Sequence, residues 1–170
     1  MKRISLWIPV LVFCFCISGL AFAQDDIQKH LSCKYCGMDR EKFAHSRVLI
    51  QNDDGTTVGT CSLHCAAIEL AINIDKTIKV IEVGDYYSKN LIDVEKAFWV
   101  IGGNKMGVMT RRAKWAFEKK EDAEKFQAEN NGDLATYDQA IKAVYEDMYQ
   151  DTQMIREKRK MSRTMKEHKH

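Results

Sequence analysis

Apolar residues change their spacing several times along this chain, and the changes mark its elements. Residues 4–23 carry no charge and are rich in Leu, Val, Ile and Phe. Residues 25–32 are polar and read as loose chain. Residues 33–39 (CKYCGMD) read as a tight turn, with Gly37 free to take a positive φ. Residues 46–51 (SRVLIQ) predict a strand, 52–55 (NDDG) a hairpin turn and 56–61 (TTVGTC) the return strand. Residues 62–73 have helical composition, with Ser62 placed to cap, and 77–83 (TIKVIEV) alternate as a strand.

The second half repeats that order. Residues 97–101 (AFWVI) predict a strand, 102–112 a loop with three glycines, and 113–118 (AKWAFE) a second strand. A helix follows over 120–130, then a short strand over 134–136 and a helix over 137–150. The fold class is therefore α+β, with two similar ββαβ lobes and a charged, helix-permissive tail. The expected divisions are a signal segment over 1–23, lobes over 24–90 and 91–150, and a basic, frayed or disordered tail over 151–170. The two halves agree in pattern and not in residue identity.

Charge and the amino terminus narrow the class. Lys2 and Arg3 precede the apolar run, and Ala21-Phe22-Ala23 has the small-x-small form of a signal peptidase site. Cleavage after Ala23 predicts an exported, periplasmic protein of 147 residues; an uncleaved anchor is the alternative. Cys14 follows Phe13 and Cys16 follows Phe15, so neither has the small preceding residue of a lipid-attachment cysteine. After cleavage the formal charges cancel, but unevenly: 156–170 carry +5 and 24–155 carry −5. A slightly acidic body argues against nucleic acid as a partner. No nucleophile–base pair, phosphate-cradling loop or paired carboxylates stand out, so the chain reads as no enzyme with no small-molecule substrate. Asp53, Asp54 and Glu69 read as turn and surface groups.

The chemistry lies in the sulfur residues. Four cysteines survive cleavage, as Cys33-x2-Cys36 and Cys61-x3-Cys65. Two disulfides are one reading in an exported chain, but a bond inside either tight pair closes a tiny loop and stabilises little. Tight pairs aim two sulfurs at one ion. A dithiol redox motif is a further reading, though it should open a helix, and here Gly37 and a strand follow. Met38 adds a thioether to the first pair. Cys61 and Cys65 fall one turn apart at a helix start, which favours thiolates. His64, between them, is a ligand candidate or a surface imidazole. Met106 and Met109 lie in the glycine-bearing loop. Thiolate with thioether selects copper(I), whereas four thiolates alone make a closed, structural zinc site. The loop methionines favour Cu(I), with Zn as the alternative. The candidate ligands are Cys33, Cys36, Met38, Cys61, His64, Cys65 and Met109, with Met106 ranked below them. Met148, Met154, Met161 and Met165, with His168 and His170, form a weaker second stretch or an ordinary helix face.

The chain resembles the NosL family of periplasmic copper-binding accessory proteins. The resemblance rests on Cys33-x2-Cys36-Gly37-Met38, on Ala97-Phe98-Trp99-Val100-Ile101-Gly102, on Met109, on Trp115-Ala116-Phe117 and on Ala123 and Phe126. It covers roughly residues 32–144. It implies two ββαβ lobes, also seen in the organomercurial lyase family, and a copper(I) metallochaperone that helps mature nitrous oxide reductase. Carried over by position, it implies Cys33, Cys36, Met38 and Met109 as ligands. The implied partner is a periplasmic copper enzyme or a copper transporter component. Two departures stand out. Many members are lipoproteins, and Cys61-Ser-Leu-His64-Cys65 is outside the pattern of the best-known ones. The sequence leaves open whether the two cysteine pairs share one ion.

Overall fold

The structure, a computed structural model, describes residues 25–167. The expected signal segment, His168 and His170 lie outside them. Among the described residues no helix is long and apolar enough to cross a membrane.

The first lobe runs β1 (Val48–Asn52), β2 (Thr57–Thr60), α2 (Leu63–Ile72), β3 (Ile78–Gly84) and β4 (Leu91–Asp93), preceded by α1 (Asp25–Lys29). The second runs β5 (Phe98–Ile101), β6 (Lys114–Phe117), α3 (Lys120–Asn130), β7 (Asp133–Ala135) and α4 (Tyr137–Glu167). The strands form antiparallel sheets in the orders β2-β1-β3-β4 and β6-β5-β7. In both, the first strand of the lobe lies centrally, between the second and the third. The repeat expected from element order is thus also a repeat of strand placement. β4 is an addition that hydrogen-bonds to β3, so the first sheet extends past residue 90 to Asp93.

Alternation along β5 and β6 explains how the second sheet is covered on both faces. Trp99 and Ala116 face a core shared with Val48, Ile50 and Val83 of the first sheet, with Ala66 of α2 and with Ala140 and Val144 of α4. Val100, Trp115 and Phe117 face the opposite way, toward Ala123 and Phe126 of α3 and toward three of the cysteines. Successive side chains of a strand point to opposite faces, so Trp99 joins the lobes while its neighbour Val100 walls the cysteines. The Trp99 indole N–H donates to the Val94 carbonyl at 3.1 Å.

Three expectations need correcting. The segment expected to be loose contains α1, which is anchored by charge: Asp26 Oδ2 lies 2.8 Å from Arg40 and 2.9 Å from Arg47. Both arginines are fully buried. Their remaining N–H groups go to the carbonyls of His30, Thr60, Ala44 and Lys89. The tail expected to fray continues α4 as one helix to Glu167. Glu69, taken for a surface group, is 2% exposed.

Candidate metal centre

The first cysteine pair sits on a knuckle of backbone. The Cys33 N–H donates to the Met38 carbonyl at 2.8 Å and the Gly37 N–H to the Cys33 carbonyl at 2.9 Å, with Gly37 at φ 74°. The Lys34 N–H ties the knuckle to the Gly59 carbonyl of β2. Gly59 also leaves room for His30 and the buried Arg40, since a Cβ there would meet His30 Cβ at 2.5 Å and Arg40 Cζ at 2.8 Å. The second pair comes from the β2–α2 junction. Cys61 follows the last residue of β2, Ser62 takes the N-cap position without a side-chain cap bond, and Cys65 lies in the first turn of the helix. Residues four apart share a helix face, and the two sulfurs are 3.9 Å apart.

The structure answers the question left by the sequence: the pairs meet. The sulfurs of Cys33, Cys36, Cys61 and Cys65 all lie within 4.8 Å of one another, with Cys36 and Cys61 at 3.4 Å. None is in a disulfide. A tetrahedral ion at metal–sulfur distances of about 2.3 Å holds its sulfurs about 3.8 Å apart, so the cluster is sized for one ion. Cys33, Cys61 and Cys65 are buried and Cys36 is half-buried, which leaves the Cys36 side as the approach.

Four thiols this close cannot all ionise without a cation. Cys33 is held below the ordinary thiol range, first by the hydrogen bond from Cys36 and then by those from Cys61 and Cys65, with the Cys36 N–H adding to them. Cys36 is also lowered. Its bond to Cys33 opposes the shift, while Cys61, Cys65 and the Met38 N–H favour it. Cys61 and Cys65 are pushed up, each first through its bond to Cys33. The knuckle sulfurs are thus biased toward thiolate and the helix sulfurs toward thiol, and metal binding displaces whatever protons the four retain.

Met38 and Met109, both half-buried, pack against the apolar cluster that holds Cys33, Cys61 and Cys65 together with Val100, Val108 and Trp115. Met109 has φ 63°, a conformation uncommon for a side chain of this type and set by the β5–β6 loop. Met106, in the same loop, is 74% exposed and lines a separate cleft beside α4. His64 is neither on the surface nor in the cluster. It is 3% exposed, and its Nδ1 faces Asp151 Oδ2 of α4 at 3.6 Å, too long for a direct hydrogen bond. Burial holds its pKa down, against the attraction of Asp151.

Glu69 lies one further turn along α2 from Cys65. Its carboxylate accepts from Lys34 Nζ at 2.7 Å, from the Tyr35 hydroxyl, and from Asn73 Nδ2 at 2.8 Å. Lys34 and Tyr35 are the two residues between Cys33 and Cys36. Glu69 thus clamps the knuckle to the helix that carries Cys65. The spacing Cys61, Cys65, Glu69 was a signal available in the sequence, since all three share one helix face.

The sequence profile of NosL matches residues 24–145. The chain belongs to the NosL family. Its fold is similar to that of the copper chaperone NosL from Shewanella denitrificans, with a TM-score of 0.51 and 21% identity over 63% of this chain and 87% of that one. The apo-NosL protein from Achromobacter cycloclastes matches with a TM-score of 0.38 and 22% identity, over 55% of this chain and 87% of that one. No curated protein sequence matches. The NosL match ends at residue 145, so most of α4 lies beyond it.

Proposed function

We propose that this chain is an exported copper(I) chaperone that carries one ion at the Cys33, Cys36, Cys61 and Cys65 cluster and hands it to a periplasmic copper protein. The observation that carries the reading is the gathering of four sulfurs within 4.8 Å, in an apolar cluster whose margin includes Met38 and Met109. An all-sulfur set with thioether at its edge is soft and suits copper(I). Family membership supports the same cargo, and the related Shewanella protein is a copper chaperone. Half-buried Cys36 would be the sulfur at which a recipient's ligand enters and replaces the first bond. Nitrous oxide reductase is the client that the family resemblance implies.

A second reading rests on the same distances. Four thiolates spaced for a tetrahedral ion also suit structural zinc. Native mass spectrometry decides between them, with copper(I) and zinc offered together, without oxygen, to the exported chain. The chaperone reading predicts one copper per chain and no retained zinc. Zinc held in preference to copper would replace it with the structural reading.

A further inference from the structure

The last turns of α4 have no place in the core. From Arg156 to Met165 every residue is exposed. The stretch carries Arg156, Lys158, Arg159, Lys160 and Arg163, and Glu157 is its one acidic side chain. Arg156 with Lys160, and Arg159 with Arg163, are like charges four apart, an arrangement that destabilises an isolated helix. None of these cations has an ion-pair partner among the described residues.

This basic segment is held beside the metal centre. Asp151 is buried against His64 of α2 and accepts the Arg111 N–H at 3.2 Å. Two turns on, Arg159 Nη2 donates to the Cys36 carbonyl at 3.4 Å. Cys36 is the least buried of the four cysteines. The charge continues into a cleft of about 400 Å³ between α4 and the β5–β6 loop, lined by Lys105, Arg111, Lys158, Met106 and Met154. Met154, Met161 and Met165 recur at i, i+7 and i+11, so they share the helix face that Met154 presents to the cleft, with Met161 57% and Met165 63% exposed.

We propose that α4 beyond Asp151, with this cleft, is the docking surface for a copper-exchanging protein whose metal site is ringed by acidic side chains. The proposal rests on the copper reading above and names the partner's chemistry. Acidic groups would relieve the self-repulsion of the helix, and flexible thioethers suit a transient apolar contact. Docking there sets the partner's ligands against Cys36. The segment from Arg156 to Glu167 has no Leu, Ile, Val, Phe or Trp, so it lacks the apolar wedge of a helix that inserts into a membrane surface.

The test uses two synthetic copper(I)-loaded peptides with the same Cys-x-x-Cys turn, one flanked by glutamates and one by glutamines. The rate of copper transfer to the metal-free exported chain is measured over a range of salt concentrations. The glutamate peptide should transfer about tenfold faster at low ionic strength, with the advantage fading as salt screens it. The Arg156→Glu, Lys160→Glu, Arg163→Glu triple variant should lose that advantage and keep its equilibrium copper loading. Equal rates for the two peptides, or an unchanged advantage in the variant, would overturn the proposal. So would tighter binding to phosphatidylglycerol vesicles than to the glutamate peptide, or a salt-sensitive dimer abolished by the triple change. If the chain takes up no copper, the copper reading fails by itself. Docking is then read from the metal-free glutamate peptide, which should bind the wild type and not the variant; equal binding overturns it.

Discussion

Replacing Glu69 by Gln tests whether the two halves of the sulfur cluster are coupled through α2. The change keeps the side-chain shape and removes the charge that receives Lys34 and Tyr35. The Lys34 side chain is 48% exposed, so after solvent screening that pair contributes little, on the order of 0.5 kcal/mol. The Tyr35 hydroxyl meets a buried carboxylate, and a hydrogen bond to a charged group exceeds a neutral one by about 1 kcal/mol. The combined loss is about 1–2 kcal/mol. Both partners lie between Cys33 and Cys36, so the loss falls on how the knuckle is aimed at Cys65. At about 1.4 kcal/mol per tenfold, copper(I) affinity should fall about 5- to 30-fold. Competition with a colorimetric copper(I) chelator measures the affinity, and thermal unfolding of the metal-free chain measures stability. Tyr35→Phe should give a similar loss, and the double variant little more than either alone. Affinity within twofold of wild type in Glu69→Gln, despite a lowered melting temperature, would refute the coupling.

Asp26→Asn leaves Arg40 and Arg47 buried without their shared countercharge and should destabilise the chain by about 3–5 kcal/mol in urea unfolding. Burial raises the Asp26 pKa, but the bonds and charges of Arg47 and Arg40 outweigh it and hold the group below 3.8. Its contribution is thus complete above the unfolded value and lost as pH falls through the folded one, so the urea midpoint gap between wild type and Asp26→Asn should narrow below pH 3.8. Met109→Ala should weaken copper(I) in the same chelator assay and leave zinc binding unchanged in competition with a zinc chelator, because thioether is a ligand for the softer ion; equal losses for both metals would point to a packing role.

The repeated lobes were legible because strand alternation and helix composition are local signals. Residues 46–51, 56–61 and 77–83 predicted β1, β2 and β3 within two residues at each end. β4 was missed because Leu91, Ile92 and Asp93 are too few to display a period of two. The extension of α4 past residue 150 was hidden by its polarity, although Arg, Glu, Lys and Met are good helix formers. At the site, each cysteine pair announced itself by spacing, but their union depends on the Lys34–Gly59 tie and the strand–helix junction, which only the folded chain brings together. His64 read as a ligand because it lies between two cysteines; the helix turns it toward Asp151 instead, 87 residues away. Asp26, Arg40 and Arg47 escaped notice for a related reason. Charged residues read as solvent-facing unless their partners are known, and here the partners come from three separate segments.

X-ray absorption at the copper edge tests the central claim most directly, on the copper(I)-loaded chain of residues 24–170 and on the same chain carrying Cys61→Ser and Cys65→Ser. A single ion held by the joined cluster predicts a shell of sulfur alone that loses sulfur when the helix pair is replaced. An unchanged shell in the variant, or nitrogen and oxygen ligands in the wild type, would contradict a four-cysteine copper centre.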